Sequence, residues 1–286
     1  MISRRSFITK SVVATAAATA VPAFLSSLSM ACSGERKLKK IGFISGIIAK
    51  ELEGNWKSVL RKTVEFGFSE IEIGDYLGDS ASAFLKYCKE IDLIPVAGGI
   101  DFNASDEDTL KRIDTLKELG LKYAVVYWPW MTGGPFKLDD CKRSVDVLNS
   151  LGDLCYKNDL TLCWHNHDKE FLPMDEDLPF NFLMNHTEMN LVKCEMDIYW
   201  VKKGGADPLA MLKKYPGRIV ILHVKDMAPG SAQDFECPGN GIIDFPSIFA
   251  EAQKQEIAHY IVERDQVPDG MACLQSSGTY LRNLRF

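Results

Sequence analysis

The sequence predicts one (β/α)8 TIM barrel, an α/β fold, and three observations carry that prediction. Short apolar runs alternate with longer amphipathic stretches along the body of the chain, and eight such runs occur, the number that closes a parallel sheet into a barrel. A helix ended by Gly or Asn and followed at once by a strand recurs at Phe66-Gly67-Phe68, Leu119-Gly120-Leu121 and Lys157-Asn158-Asp159-Leu160, as a repeated αβ unit requires. About 250 residues remain once an N-terminal segment is set aside, and no Pro/Gly/Ser-rich linker divides them, so residues 38–286 read as a single domain.

Residues 1–33 read as an export signal. Ser3-Arg4-Arg5-Ser6-Phe7-Ile8-Thr9-Lys10 is a twin-arginine pattern, and it leads into an uncharged, Ala-rich apolar stretch over residues 12–28. This predicts a periplasmic enzyme, with a retained anchor helix as the alternative. Ala31 before Cys32 loosely matches a lipoprotein cleavage site, which would tether the protein to a membrane through lipid on Cys32; simple cleavage near Ala31 accounts for the same residues. Beyond residue 40 the chain carries 26 basic residues against 38 acidic ones, a formal charge of −12. Such a body is a poor partner for nucleic acid or anionic lipid.

The strand candidates are residues 40–45, 70–75, 94–98, 123–128, 161–167, 193–198, 219–224 and 259–263, short and rich in β-branched or aromatic residues, as strands buried on both faces are. Between them, Asn55 caps a helix that buries Trp56, Val59, Leu60 and Val64. Ser105 caps another with Leu110, Ile113, Leu116 and Leu119 on one face, stopped by Gly120. Val145, Leu148, Leu151 and Leu154 mark a third, and Asp207-Pro208 an N-cap with proline in the first turn. Seven cysteines follow Cys32 without CxxC or regular spacing, so no disulfide framework is expected.

In a parallel barrel the strand C-termini share one rim, where functional residues gather. His165 and His167 end the fifth strand with equal parity, so both face the axis or both avoid it. Trp164 and Cys163 suit the helix-facing side, which turns the histidines inward. Asp197 ends the sixth strand, with Glu195 at the same parity as an alternative or a deeper partner; His223 ends the seventh and Glu263 the eighth. Two imidazoles and two carboxylates suit a divalent cation, with Mn, Co, Zn, Fe and Mg all open, and which of His165 and His167 would touch it stays open too. Lys225 shares the side of His223 and either holds a substrate oxygen or pairs with an acid such as Asp226. Trp128, Trp130 and Trp200 lie at or beyond strand ends, where their faces can stack on a ligand ring or pack in the core. Gly239-Asn240-Gly241 lacks a third glycine and reads as a loop near the site. His186 and His259 lie away from the rim and receive no chemistry.

Trp164-His165-Asn166-His167-Asp168-Lys169-Glu170-Phe171, Glu195-Met196-Asp197-Ile198-Tyr199-Trp200, His223-Val224-Lys225-Asp226, Gly239-Asn240-Gly241-Ile242-Ile243-Asp244-Phe245-Pro246 and Val262-Glu263-Arg264-Asp265 resemble, in order, the motifs of the sugar phosphate isomerase/epimerase superfamily with the xylose isomerase-like barrel. The resemblance implies metal ligands Glu, Asp, His and Glu on strands five to eight; Asp197, His223 and Glu263 occupy three of these positions, and His165 replaces the first glutamate. One of the family's two facing proton carriers is thereby lost, leaving His167 or Glu170 to act opposite Glu263. The implied activity is isomerisation or epimerisation of a keto-sugar by proton abstraction next to its carbonyl, with Glu263 as base. A lyase or hydratase of 3-keto-glycosides is the alternative, and a noncatalytic sugar-binding barrel a third. Endonucleases on this fold need further histidines and fit the acidic body poorly.

Overall fold

Eight parallel strands pair edge to edge until the last hydrogen-bonds to the first, closing a barrel; they are Gly42–Ile44, Glu70–Glu72, Ile94–Gly99, Tyr123–Val126, Thr161–His165, Val192–Asp197, Ile219–Val224 and His259–Val262. The computed structural model describes residues 36–129, 135–174 and 177–286. The twin-arginine segment, Cys32 and Trp130 lie outside the described residues. Each expected strand is present, most ending one to three residues early, because the last residues before the rim turn into loops. Among the described residues no helix is long and apolar enough to cross a membrane.

Helix punctuation follows the sequence. Asn55 accepts the Ser58 N–H at the start of Trp56–Glu65, Ser105 accepts the Asp108 N–H at the start of Asp106–Glu118, and Asp207 accepts the Leu209 N–H before Pro208–Lys214. Gly120 adopts φ +67°, the left-handed geometry that ends a helix. Ile113, Leu116 and Leu119 are buried as their spacing predicts, but Leu110 is exposed at 42%, because the helix turns that position away from the sheet.

Two apolar layers hold the barrel. Ala97, Val125, Cys163, Ile221 and Ile261 fill its interior, whereas Phe43, Ile71, Trp164, Leu222 and Val262 belong to the larger core between strands and helices. Trp164 thus faces the helices, its ring 5.3 Å from Phe180, as expected. Cys163 does not: two residues before His165, it shares that side and lies in the barrel. At Gly42 a Cβ would overlap the tip of the Ile261 side chain, so a larger residue there requires Ile261 to shift.

The expectation of unpaired cysteines fails at one place. Cys237, after the seventh strand, is disulfide-bonded to Cys273 in the final helix, Gly270–Asn283, across 36 residues of sequence. Spacing carried no sign of it, since the final helix brings Cys273 alongside through tertiary packing. Cys88, Cys141, Cys155, Cys163 and Cys194 are free and buried.

Candidate metal and catalytic site

Strand register brings the rim residues into contact. His165 pairs with Glu195 and Asp197 with His223 across neighbouring strands, and Val262, paired with Val224, puts Glu263 beside them. Asn166 fastens two strand ends: its Oδ1 accepts the Asp197 N–H at 3.0 Å and its Nδ2 donates to the Asp197 carbonyl at 3.3 Å. As a result, ligand atoms of His165, Asp197, His223 and Glu263 all lie within 4.8 Å of one another. His167 is not in this set. Glu263, 17% exposed in its side chain, is the member that opens to solvent.

Both imidazoles present one nitrogen to this cluster and the other to carboxylates outside it. His165 Nε2 lies 3.8 Å from Asp197 Oδ2, while its Nδ1 lies 3.0 Å from Glu195 Oε1. His223 Nδ1 lies 2.7 Å from Glu263 Oε2, while its Nε2 is 3.0 Å from both Glu195 Oε1 and Glu72 Oε2. Glu195 therefore sits behind both rings, the position from which a carboxylate fixes tautomer and orientation of a metal-binding histidine. Glu72, Glu195 and His223 form a second close group, and the Tyr127 hydroxyl donates to Glu72 Oε1.

Lys225 completes the centre. Its ammonium lies 3.0 Å from Asp197 Oδ2, 3.2 Å from Glu263 Oε2 and 2.7 Å from Asp265 Oδ2. Asp226, named from sequence as its partner, is occupied elsewhere: it accepts the backbone N–H groups of Gly239, Gly241 and Ile243 at 2.9, 3.0 and 3.1 Å. Adjacent residues point to opposite sides, which separates Lys225 from its neighbour and gives the Gly239-Asn240-Gly241 loop its anchor.

The electrostatics are unbalanced. Glu72, Glu195, Asp197, Glu263 and Asp265 face Lys225 and two imidazoles, and the first three are fully buried. Burying carboxylates without compensation costs several kcal/mol each. Burial, with Glu72 nearby, pushes Glu195 up to about 8; burial likewise pushes Asp197 up to about 7 despite Lys225. Burial would also lower His223, but Glu195, Glu72 and Glu263 hold it well above the usual imidazole range. Burial opposes ionisation of Glu263, yet Lys225 and His223 hold it well below the usual carboxylate range. Burial and the neighbouring His223 depress His165. A divalent cation relieves this excess, and two imidazoles with two carboxylates are a donor set that such an ion accepts. The residues fit.

The remaining expected residues divide. His167 stands on the rim, stacked on Trp128 with ring centroids 3.8 Å apart and tilted against Trp200 at 5.3 Å; burial and then Lys225 lower it to about 3, so it is neutral. Trp128 is 57% exposed and borders a cavity of about 320 Å³ with Phe102, Asn103 and Tyr127. Glu170 lies apart from the cluster, fully buried in the short helix Asp168–Phe171, where it accepts the His167 backbone N–H at 3.0 Å. His186 and His259 lie away from the cluster, as expected. Sequence reasoning missed Glu72, Tyr127 and Asp265. Parity offers a signal for each: Glu72 ends the second strand, Tyr127 follows the fourth, and Asp265 lies two beyond Glu263.

A family model described as the xylose isomerase-like TIM barrel matches residues 60–276. The chain belongs to this family. Among curated proteins, the inosose dehydratase of Clostridium perfringens is 29% identical over 147 residues, 46% of this chain and 49% of that protein. The chain thus spans about half the length of that relative. The Geobacillus kaustophilus inosose dehydratase is 25% identical over 73% of this chain and 80% of its own length. A sugar phosphate isomerase/epimerase structure from Parabacteroides distasonis superposes with TM-score 0.73 at 22% identity, covering 88% of this chain and 98% of that one, a likeness of fold. The chain is thus a xylose isomerase-like barrel with a buried His/Asp/Glu cluster consistent with a divalent metal.

Proposed function

We propose that this enzyme takes a proton from the carbon next to the carbonyl of a keto-sugar or related keto-polyol and expels a β-oxygen substituent, as a metal-dependent lyase or dehydratase. The asymmetry of the rim carries this reading. One partly open carboxylate, Glu263, faces the site, and the second proton carrier within reach is a neutral imidazole, His167, rather than a second glutamate. Epimerisation asks for proton carriers on opposite faces of one carbon; elimination asks for one base and a donor at the departing oxygen. The inosose dehydratase relatives favour the same choice.

His165, Asp197, His223 and Glu263 would hold the ion, with Glu195 behind the two imidazoles. A divalent cation there supplies positive charge that polarises a substrate carbonyl and its neighbouring hydroxyl. Glu263 accepts the carbon-bound proton, the bond to the β-oxygen breaks, and the departing hydroxide or alkoxide takes the N–H proton of His167, which is restored by the proton that Glu263 gives up, so the products are an unsaturated ketone and water or alcohol and both residues end as they began. Glu170 holds the His167 backbone in place. The Lys225 charge stabilises negative charge developing on substrate oxygens. Trp128 and Trp200 offer stacking faces to the sugar. Export to the periplasm and lipid attachment at Cys32 belong to the same proposal and stand on the N-terminal sequence pattern.

The second reading is the isomerase or epimerase that the motifs suggest, with His167 returning the proton to the same carbon. NMR of products from a panel of keto-sugars and 3-keto-glycosides decides between them. An unsaturated ketone or a released alcohol is the expected result; a stereoisomer alone would replace elimination with epimerisation.

A further inference from the structure

Lys225 sits against two of the carboxylates that a metal ion would use. Its ammonium contacts Asp197 Oδ2 at 3.0 Å and Glu263 Oε2 at 3.2 Å, both members of the four-residue cluster. Asp265 Oδ2 is the third acceptor, at 2.7 Å. An ammonium has three N–H donors, and three carboxylates face this one. Three rings surround it as well, with Tyr199, Trp200 and Phe235 centroids 5.7, 5.1 and 5.6 Å away. The side chain is fully buried, so no water screens its charge.

Phe235 reaches this place through a fastened loop. It belongs to a two-stranded ribbon, Asp226–Met227 against Phe235–Glu236. Asp226 ties one end by accepting the loop's backbone N–H groups, and the Cys237–Cys273 disulfide ties the other. The ring box is therefore part of the framework.

A positive charge fixed about 3 Å from two candidate ligand oxygens repels a second cation approaching them. We propose that Lys225 is a resident counter-cation that holds the cluster's affinity for a divalent ion below what its four donors would give alone, with Asp265 and the Tyr199, Trp200 and Phe235 rings as positioning residues. The inference rests on the metal reading above. It gives the lysine two uses: it offsets the buried carboxylates when no ion is bound, and it shares their charge when one is, leaving the ion more electron-poor toward substrate oxygens.

Calorimetric titration of metal-stripped protein with Mn²⁺ and Zn²⁺ tests this without reference to turnover. Lys225→Met is expected to bind at least about tenfold tighter than wild type, by the sign of the Coulomb interaction removed. Phe235→Ala, which keeps the charge but loosens its seat, is expected to bind a few-fold tighter. Equal or weaker binding by a Lys225→Met protein with an unchanged circular dichroism spectrum overturns the proposal. Should that variant not fold, Phe235→Ala decides alone, and unchanged or weaker binding there overturns it. Wild type and both variants all failing to take up either ion would remove the metal reading itself, a result distinct from equal binding.

Discussion

At the base of the barrel His259 Nδ1 lies 3.0 Å from Glu70 Oε2, and at the rim His223 Nε2 lies the same 3.0 Å from Glu72 and Glu195. Each pair is largely enclosed by the same eight strands, yet their surroundings differ. Glu70 has a second basic neighbour, Lys40 at 3.3 Å, which is half-exposed, and Tyr123 packs edge-on to His259 at 5.3 Å. One carboxylate there meets two basic groups. At the rim five carboxylates meet one ammonium and two imidazoles. A histidine beside a glutamate is thus no mark of chemistry; an excess of buried negative charge at the strand C-termini is. Void volume does not identify the site either, since the base borders a cavity of about 600 Å³ lined by Lys40, Glu70 and His259.

This contrast can be broken experimentally. The largest effect is expected from Glu263→Gln, which keeps shape and removes the base: kcat/KM should fall about 10³-fold, and exchange of the substrate's carbon-bound proton with solvent should stop. Exchange that persists would take Glu263 out of that role. Next, His223→Ala and His259→Ala form a matched pair across the two ends. The rim variant should lose bound metal and at least about 10²-fold in activity, since ligand loss exceeds the 10–100-fold typical of supporting contacts. The base variant should stay within about threefold of wild type and show its cost in thermal melting. Equal losses in activity would erase the distinction between the ends.

A smaller effect concerns pH. Asp197 and Glu195 carry folded-state pKa values of about 7 and 8, above their unfolded values, and His223 is raised as well, so the folded protein holds protons that the unfolded chain has released. Their contribution to stability therefore declines as pH rises toward those values. His165 is depressed, which costs stability only below about 6.5, where the unfolded imidazole takes up a proton. Glu263 is depressed too, and its contribution is complete above its unfolded value. Metal-stripped protein should then melt at progressively lower temperature from about pH 6.5 to 8.5, and metal-loaded protein should show a flatter profile. A flat profile without metal would sharpen the comparison by placing the charge balance elsewhere.

Much of the fold was legible because its signal is local. Periodicity set the eight strands, and Asn55, Ser105 and Asp207 announced helix starts through a side chain that can accept a backbone N–H. Parity at the strand ends also picked out His165, Asp197, His223 and Glu263. The same rule covered Glu72, but one acidic residue in a strand next to Glu70 carries no sign of a partner 151 positions away. Glu170 misled for the opposite reason: it follows the histidines in sequence, yet a one-turn helix folds its carboxylate back on the His167 backbone.

The chain by itself determined an eightfold β/α alternation and the identity of the residues at each strand end, because side-chain direction along a strand is fixed by covalent geometry. Barrel closure decided the rest. Only register across separate strands could set Glu195 behind two imidazoles and seat Lys225 among three carboxylates instead of beside Asp226, and only packing of the final helix could bring Cys273 to Cys237. Those choices depend on distances between segments far apart in sequence, and on a balance of buried charge that no single segment contains.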